Sequence, residues 1–333
     1  MSVIERPHEL ADVKVLVTGG AGFLGSQLTR ALLGLGARVT VLDDLFTGRV
    51  EDLPNDSRLQ FVEGSVTDRE LVQKLVAEAP VIFHLAARNI VASIEDPRAD
   101  FQVNAGGTLN LLLAVRASGH SVSRVVYTSS ASVYGNPRHL PISEDDGTTC
   151  LSPYAASKLS GELYCRVFYE QFGLPVAMVR YSNVYGVGQS PVNPYCGVIS
   201  KFFVAAERGD KLVVHGDGLQ TRDYTYVDNA VEATILASLT TKADGETFNI
   251  GTGVETSVLD LIAALNRLYE GRLNVQHSER RDIDNVRRRV MNIEKSRSRL
   301  RWIPSVTLDE GLRRTQAWIR ESRVSGAPKR LQK

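Results

Sequence analysis

The stretch Val15–Ser26, VLVTGGAGFLGS, runs from β-branched and apolar residues into a turn with glycines at 19, 22 and 25, and then into the amphipathic segment SQLTRALLGLG. A strand that ends in such a turn and opens a helix brings backbone N–H groups and a helix N-terminus to one point, a cradle suited to a diphosphate. A glycine pattern alone is weak, but here it stands in the strand-turn-helix setting that a dinucleotide requires. The next apolar run, RVTVLDD, puts Asp43 18 residues beyond Gly25. From there a carboxylate reaches an adenosine ribose and repels a 2'-phosphate, which favours NAD over NADP. Asp43 or Asp44 could instead cap the following turn; Asp43 is expected on the ribose and Asp44 is left unassigned.

Outward from this unit the chain alternates. Apolar runs VKVLVTG, RVTVLD, VIFHLA, RVVYTS and PVAMVR are separated by amphipathic stretches over 22–35, 68–78, 99–118 and 153–172. Near-continuous apolar strands between helices predict an α/β fold with a doubly wound parallel sheet covered on both faces. Residues 1–181 are read as mainly the dinucleotide-binding Rossmann domain. After residue 181 the rhythm loosens around GVGQSPVNPYCG. Helices are expected near 197–208, 227–239, 257–269 and 308–322, with short strands around 212 and 247. This makes 182–323 a smaller α/β substrate lobe, partly interleaved with the first, and 324–333 a tail.

Composition narrows the partners. With 39 Lys+Arg against 38 Asp+Glu the net charge is +1, so no global field recruits nucleic acid or an anionic membrane. Cys150, Cys165 and Cys196 form no CxxC pattern and are odd in number, as expected of free thiols in a reducing compartment, by default the cytoplasm. No apolar stretch reaches the length of a membrane span and no signal-peptide core stands at the N-terminus. Six histidines make no metal-binding spacing, so no metal is expected.

A second segment carries chemistry. In SPYAASK, Tyr154 and Lys158 are four apart and share a helix face. Ser129 and Ser130 lie at the preceding strand end, where ligands of an open parallel sheet sit. A phenol with pKa ~10 is a poor base at neutral pH, but an adjacent ammonium and a cationic nicotinamide favour its phenolate.

The set TGGAGFLG, FHLAA, NAGGTLNLL, TSSASVYG, SPYAASK, RYSNVYG and HGDGLQTRDYTYVDNAV resembles the extended short-chain dehydrogenase/reductase family, in its nucleotide-sugar epimerase/dehydratase branch. The resemblance implies Ser130, Tyr154 and Lys158 as catalytic residues. It implies NAD contacts from Gly19, Gly22, Phe23, Leu24, Gly25, Asp43, Ser65, Val66, Leu85, Ala86, Ala87, Asn104, Tyr154 and Lys158, with His84 flanking the cofactor site. Substrate contacts are implied for Ser93, Ser130, Asn183 and Arg222, and for one of the arginines at 280, 281, 287, 288 and 289, with Arg281 and Arg289 the candidates. Arg222 could equally pair with Asp223 or Asp228.

Dehydratases of the branch carry an Asp-Glu pair after the catalytic hydroxyl. Here Ala131 and Ser132 stand there and cannot deliver a proton as a carboxylate does. The expectation is an NAD-dependent 4-epimerase of a UDP-hexose of glucose, N-acetylglucosamine or glucuronate type, acting as a homodimer through helices 99–118 and 153–172. The alternatives are a 4,6-dehydratase or 4-ketoreductase, or a non-catalytic NAD-binding sensor.

Overall fold

The computed structural model of the chain describes residues 7–119, 121–190, 197–280 and 286–324. Its first half contains β1 (Lys14–Thr18), α1 (Phe23–Gly34), β2 (Arg38–Asp43), β3 (Leu59–Glu63), α2 (Arg69–Val76), β4 (Val81–His84), α3 (Ile90–Glu95), α4 (Pro97–Phe101), α5 (Gly107–Ala117), β5 (Arg124–Ser130), α6 (Pro153–Phe172) and β6 (Val176–Tyr181). There follow β7 (Asn183–Tyr185), α7 (Val198–Arg208), β8 (Leu212–His215), β9 (Thr221–Arg222), β10 (Tyr224–Tyr226), α8 (Val227–Ser238), β11 (Thr247–Ile250), β12 (Thr256–Ser257), α9 (Val258–Leu268), β13 (Val275–Ser278) and α10 (Leu308–Val324).

Seven strands form one parallel sheet in the order β11-β6-β5-β4-β1-β2-β3. The chain fills the sheet outward from β1 to β3, then crosses back to β4 on the other side of β1. This reversal opens a crevice at the C-terminal ends of β1 and β4, where an open sheet binds its ligands. The pleat sends alternate residues to opposite faces. Val15 and Val17 of β1 join the apolar cluster containing Leu28 and Leu32 of α1 and Ala230 and Val231 of α8. Leu16 joins the opposite cluster, with Val72 of α2, Leu111 of α5 and Phe168 of α6. Strands buried on both faces therefore read as unbroken apolar runs.

Two elements depart from the sequence reading. The segment read as one helix over 99–118 is α4, then five residues of wider π-helical turn at Gln102–Gly106, then α5. The edge strand β3, LQFVE, has no fully buried residue, and so lacks the apolar run by which the inner strands were recognised.

Beyond β6 the chain does not leave the first sheet behind, since β11 pairs with β6 as its outermost strand. Three two-stranded pairs, β7 with β10, β9 with β12 and β8 with β13, complete the second half. Buried Asn249 of β11 ties the halves together. It accepts from the Tyr134 hydroxyl at 2.7 Å and donates Nδ2 to the carbonyls of Ile142 and Asn292 at 2.8 and 3.3 Å. Among the described residues, no helix is long and apolar enough to cross a membrane.

Candidate active site

At the crevice the glycine turn is built as a cradle. Gly19 has φ +71°, and a Cβ there would lie 2.6 Å from the Ala86 nitrogen. A Cβ on Gly25 would lie 2.1 Å from the Gly19 carbonyl oxygen. Both positions therefore need glycine for space, and Gly19 also for conformation. No side chain caps the N-terminus of α1, so its first-turn amides face the crevice as a ready anion site.

A cavity of about 320 Å³ adjoins the turn, lined by Gly19, Gly22, Phe23, Leu24, Gly25, Asp43, Ser65, Val66, Leu85, Ala86, Ala87, Tyr154 and Lys158. Asp43 is buried. Its Oδ2 accepts from the Ala21 amide at 2.9 Å and its Oδ1 from the Leu45 amide at 2.8 Å. Burial raises its pKa while these amides oppose the rise. The carboxylate so fixes the glycine turn to the end of β2, with lone pairs left over for a ribose.

The candidate catalytic groups come from two elements. β5 ends at Ser130, whose hydroxyl lies 3.1 Å from that of Ser132. Ser152 caps α6 by accepting from the Ala155 amide, and Pro153 stands in the first turn. This start puts Tyr154 and Lys158 on successive turns at the cavity wall. Burial raises the Tyr154 phenol, and its hydrogen bond to the Ser130 side chain opposes that rise. The expected lowering by Lys158 is not among the influences on this phenol: desolvation dominates, and the Asp100 charge adds to the rise. Burial also lowers the Lys158 ammonium to about 8, with Glu162, Cys165 and Asp100 acting against the fall.

Several expected residues sit behind the cavity rather than in its lining. Asn104 is buried; its Oδ1 accepts from the Arg88 amide at 2.7 Å, and its Nδ2 donates to Asp100 at 2.7 Å and to Ser157 at 3.0 Å. It ties the π-helical turn to α6 and to the loop after β4. His84 bridges Thr18 and Thr108 at 2.7 and 3.0 Å. Because the Thr108 hydroxyl donates to the Asn104 carbonyl at 2.5 Å, His84 Nε2 must be the donor to Thr108 and Nδ1 the acceptor from Thr18. Burial holds this imidazole neutral, near 3. Ser93 is fully buried and donates to the Ile90 carbonyl. Ser129, unlike Ser130, belongs to the lining.

The residues expected at the substrate lie in the second half. Asn183 is on β7, which pairs with β10. Buried Arg222 gives Nη1 to the carbonyls of Thr221 and Val286, both at 2.8 Å. Asp223 accepts instead from Thr252, Gly253 and Met291, and Asp228 meets Arg314 at 3.3 Å. Arg287 and Arg288 form exposed pairs with Asp217 and Glu255, whereas Arg289 is buried. Arg281 lies outside the described residues.

Sequence reasoning missed a feature of the cavity mouth. Arg88, just past β4, forms a two-pronged pair with Asp44, just past β2, at 2.8 and 3.2 Å, and its guanidinium lies 4.0 Å from the centre of the Phe46 ring. All three line the cavity. Their place at the C-terminal ends of strands on either side of β1 was the available signal.

Residues 15–251 match the model of the NAD dependent epimerase/dehydratase family. The chain is 38% identical over 314 residues to the UDP-glucose 4-epimerase of Mycolicibacterium smegmatis, covering 92% of this chain and 99% of that protein. Among solved structures it is similar to the UDP-glucuronic acid 4-epimerase of Bacillus cereus in complex with UDP-glucuronic acid and NAD. There the TM-score is 0.84 and the identity 30%, over 93% of this chain and 99% of that one. It is also similar to the dTDP-glucose 4,6-dehydratase DesIV of Streptomyces venezuelae with NAD bound, at TM-score 0.85 and 31% identity over 94% and 98%.

Proposed function

The chain belongs to the NAD-dependent epimerase/dehydratase family, and from that premise we propose that it is a nucleotide-sugar 4-epimerase, inverting C4 of a UDP-hexose through a transient 4-keto sugar. The residues of the cradle fit NAD: two glycines have no room for a Cβ, an uncapped helix opens at the glycine turn to take a diphosphate, and Asp43 lines the cavity as the carboxylate that would take the ribose. When bound, NAD supplies a hydride acceptor for C4 and a cationic ring beside the phenol.

The chain's own residues supply the proton chemistry. Tyr154 takes the proton of the C4 hydroxyl and later returns it, with Ser130 hydrogen-bonding the same oxygen. Lys158, on the next turn of α6, favours the phenolate as the proton arrives and leaves. Arg222 and Arg289 are the arginines proposed for the substrate diphosphate. The chain brings their segments together, since the Thr221 amide donates to the Arg287 carbonyl at 2.9 Å and Arg222 to that of Val286; a guanidinium suits paired phosphate oxygens.

The observation that carries epimerase over dehydratase lies directly after Ser130. Ala131 is buried and Ser132 hydrogen-bonds back to Ser130, so these positions offer no carboxyl to eliminate water across C5 and C6. We further propose a homodimer. Exposed Phe101 on α4, Leu113 on α5, and Leu163 and Val167 on α6 leave apolar surface on helices that pack together.

The test is to incubate the purified protein, without added cofactor, with UDP-glucose, UDP-N-acetylglucosamine and UDP-glucuronate separately. Proton NMR at the anomeric and H4 positions should show the galacto-configured sugar from one of them. A 4-keto-6-deoxy product would replace this reading with the dehydratase.

A further inference from the structure

Lys158 is 2% exposed, and no carboxylate of the described residues comes within ion-pair distance of its ammonium. Yet the proposed chemistry needs it charged. The group in contact with the ammonium is an aromatic ring. Lys158 Nζ lies 4.6 Å from the centre of the Tyr127 ring, over its face. Tyr127 is itself 1% exposed on β5, and its hydroxyl donates to the Lys158 carbonyl at 3.0 Å. One side chain thus grips the lysine at both ends, the backbone by a hydrogen bond and the charge by the ring.

The local sequence makes room for this grip. Gly161 lies on α6 one turn past Lys158, and a Cβ there would sit 2.3 Å from the Tyr127 hydroxyl. A glycine inside a helix costs stability; here it admits the phenol. The ring of His84 stands 5.9 Å from that of Tyr127 and is held neutral by burial.

We propose that Tyr127 is a positioning residue for catalysis, its ring face holding the Lys158 ammonium charged at the cavity wall and its hydroxyl fixing the turn of α6 from which Lys158 projects. The negative face of an aromatic ring attracts a cation, most strongly where water is excluded. The other titratable groups around Lys158 are Tyr154, Glu162 and Cys165 of α6, Asp100 of α4 and His84 of β4. Arg180 of β6 holds Glu162 by bonds of 2.6 to 3.1 Å and also donates to the Tyr134 hydroxyl. Glu162 and Asp100 act on the charge from a distance; the ring acts in contact. The inference rests on Lys158 serving the proposed reaction, but its first test does not need turnover.

That test is a pH titration of the Lys158 side chain in the NAD-bound protein, followed by ¹³C NMR of ε-labelled lysine and identified by the resonance lost in Lys158→Met. Tyr127→Phe keeps the ring and should leave the midpoint in place. Tyr127→Leu removes the ring and should lower it by about one pH unit. Pentafluorophenylalanine at position 127 keeps the shape and reverses the ring's charge distribution, so it should lower the midpoint even if the leucine variant does not fold. The alkaline limb of the rate profile should move with the titration. An unchanged midpoint in the leucine or fluorinated variant would overturn the proposal, as would a fall in Tyr127→Phe equal to that of the ring-altering variants. Absence of turnover with the predicted NMR shifts would refute the assigned reaction and leave the grip standing.

Discussion

Replacing Gly25 with alanine should spoil the dinucleotide cradle while leaving the fold standing. The new Cβ would lie 2.1 Å from the Gly19 carbonyl oxygen and 2.7 Å from the Gly20 Cα, where real Cβ contacts stay beyond 3.0 Å. The Gly19 carbonyl must therefore retreat by about 0.9 Å, the difference between 3.0 and 2.1. It cannot do so freely, because the Gly19 amide is bonded to the Leu42 carbonyl at 2.7 Å and the residue holds φ +71°. Overpacking of this kind costs about 1–3 kcal/mol, and at ~2–4 °C per kcal/mol the Tm should fall by roughly 2–12 °C. The larger effect falls on the ligand. Losing one well-aimed N–H to a charged oxygen is worth about 1.5–3 kcal/mol, so NAD should bind roughly 10- to 150-fold more weakly.

The control is on the same helix. A Cβ on Gly34 meets nothing within 4 Å, so Gly34→Ala should stabilise the protein by about 0.5–1 kcal/mol and leave NAD binding unchanged. Isothermal titration with NAD and thermal melts of both variants read these quantities. Native NAD affinity in Gly25→Ala, or equal effects from the two glycines, would refute the placement of the diphosphate at the start of α1.

Three further outcomes are expected. Tyr154→Phe should keep the melting temperature and bound NAD but lose turnover by ~100-fold or more, measured as initial rate on whichever UDP-sugar is the substrate. Burial lowers the Lys158 pKa to about 8 from 10.5. Below that range both folded and unfolded chains hold the proton and the folded one bears the burial cost. Between the two values the unfolded chain binds more protons, so wild-type stability should rise with pH relative to Lys158→Met. The variant should be the more stable by on the order of 3 kcal/mol at pH 7, with the gap closing towards pH 10.5; denaturant melts across that range would show it. By size-exclusion chromatography with light scattering the wild type should give a dimer and Leu163→Glu with Val167→Glu a monomer.

Burial decides which elements the sequence disclosed and which it hid. β1, β4 and β6 are covered on both faces and were readable as apolar runs, whereas β3, with no fully buried residue, was not named among the strands. The widened turn at Gln102–Gly106 shifts the register of one helix without altering its composition, so no residue pattern announced it. Gly19 and Gly25 were legible because backbone geometry dictates their identity, and Asp43 because its spacing beyond them marked the end of the next strand. The Asp44–Arg88 pair and the Tyr127 grip on Lys158 join residues 44 and 31 positions apart, brought together by strand order and not by spacing. Asn104 and His84 were read near the cofactor, and the structure places both one layer behind the cavity wall.

The most direct test of the central claim tracks the hydrogen at C4. UDP-glucose carrying deuterium at C4 is incubated with the purified protein in light water, without added cofactor, and the product is examined by NMR and mass spectrometry; UDP-N-acetylglucosamine and UDP-glucuronate labelled likewise cover the other hexoses. Epimerisation by a hydride that leaves C4 and returns to it predicts the galacto sugar with its deuterium still at C4. Deuterium lost to water, or found on C6 of a 4-keto-6-deoxy sugar, would contradict the account.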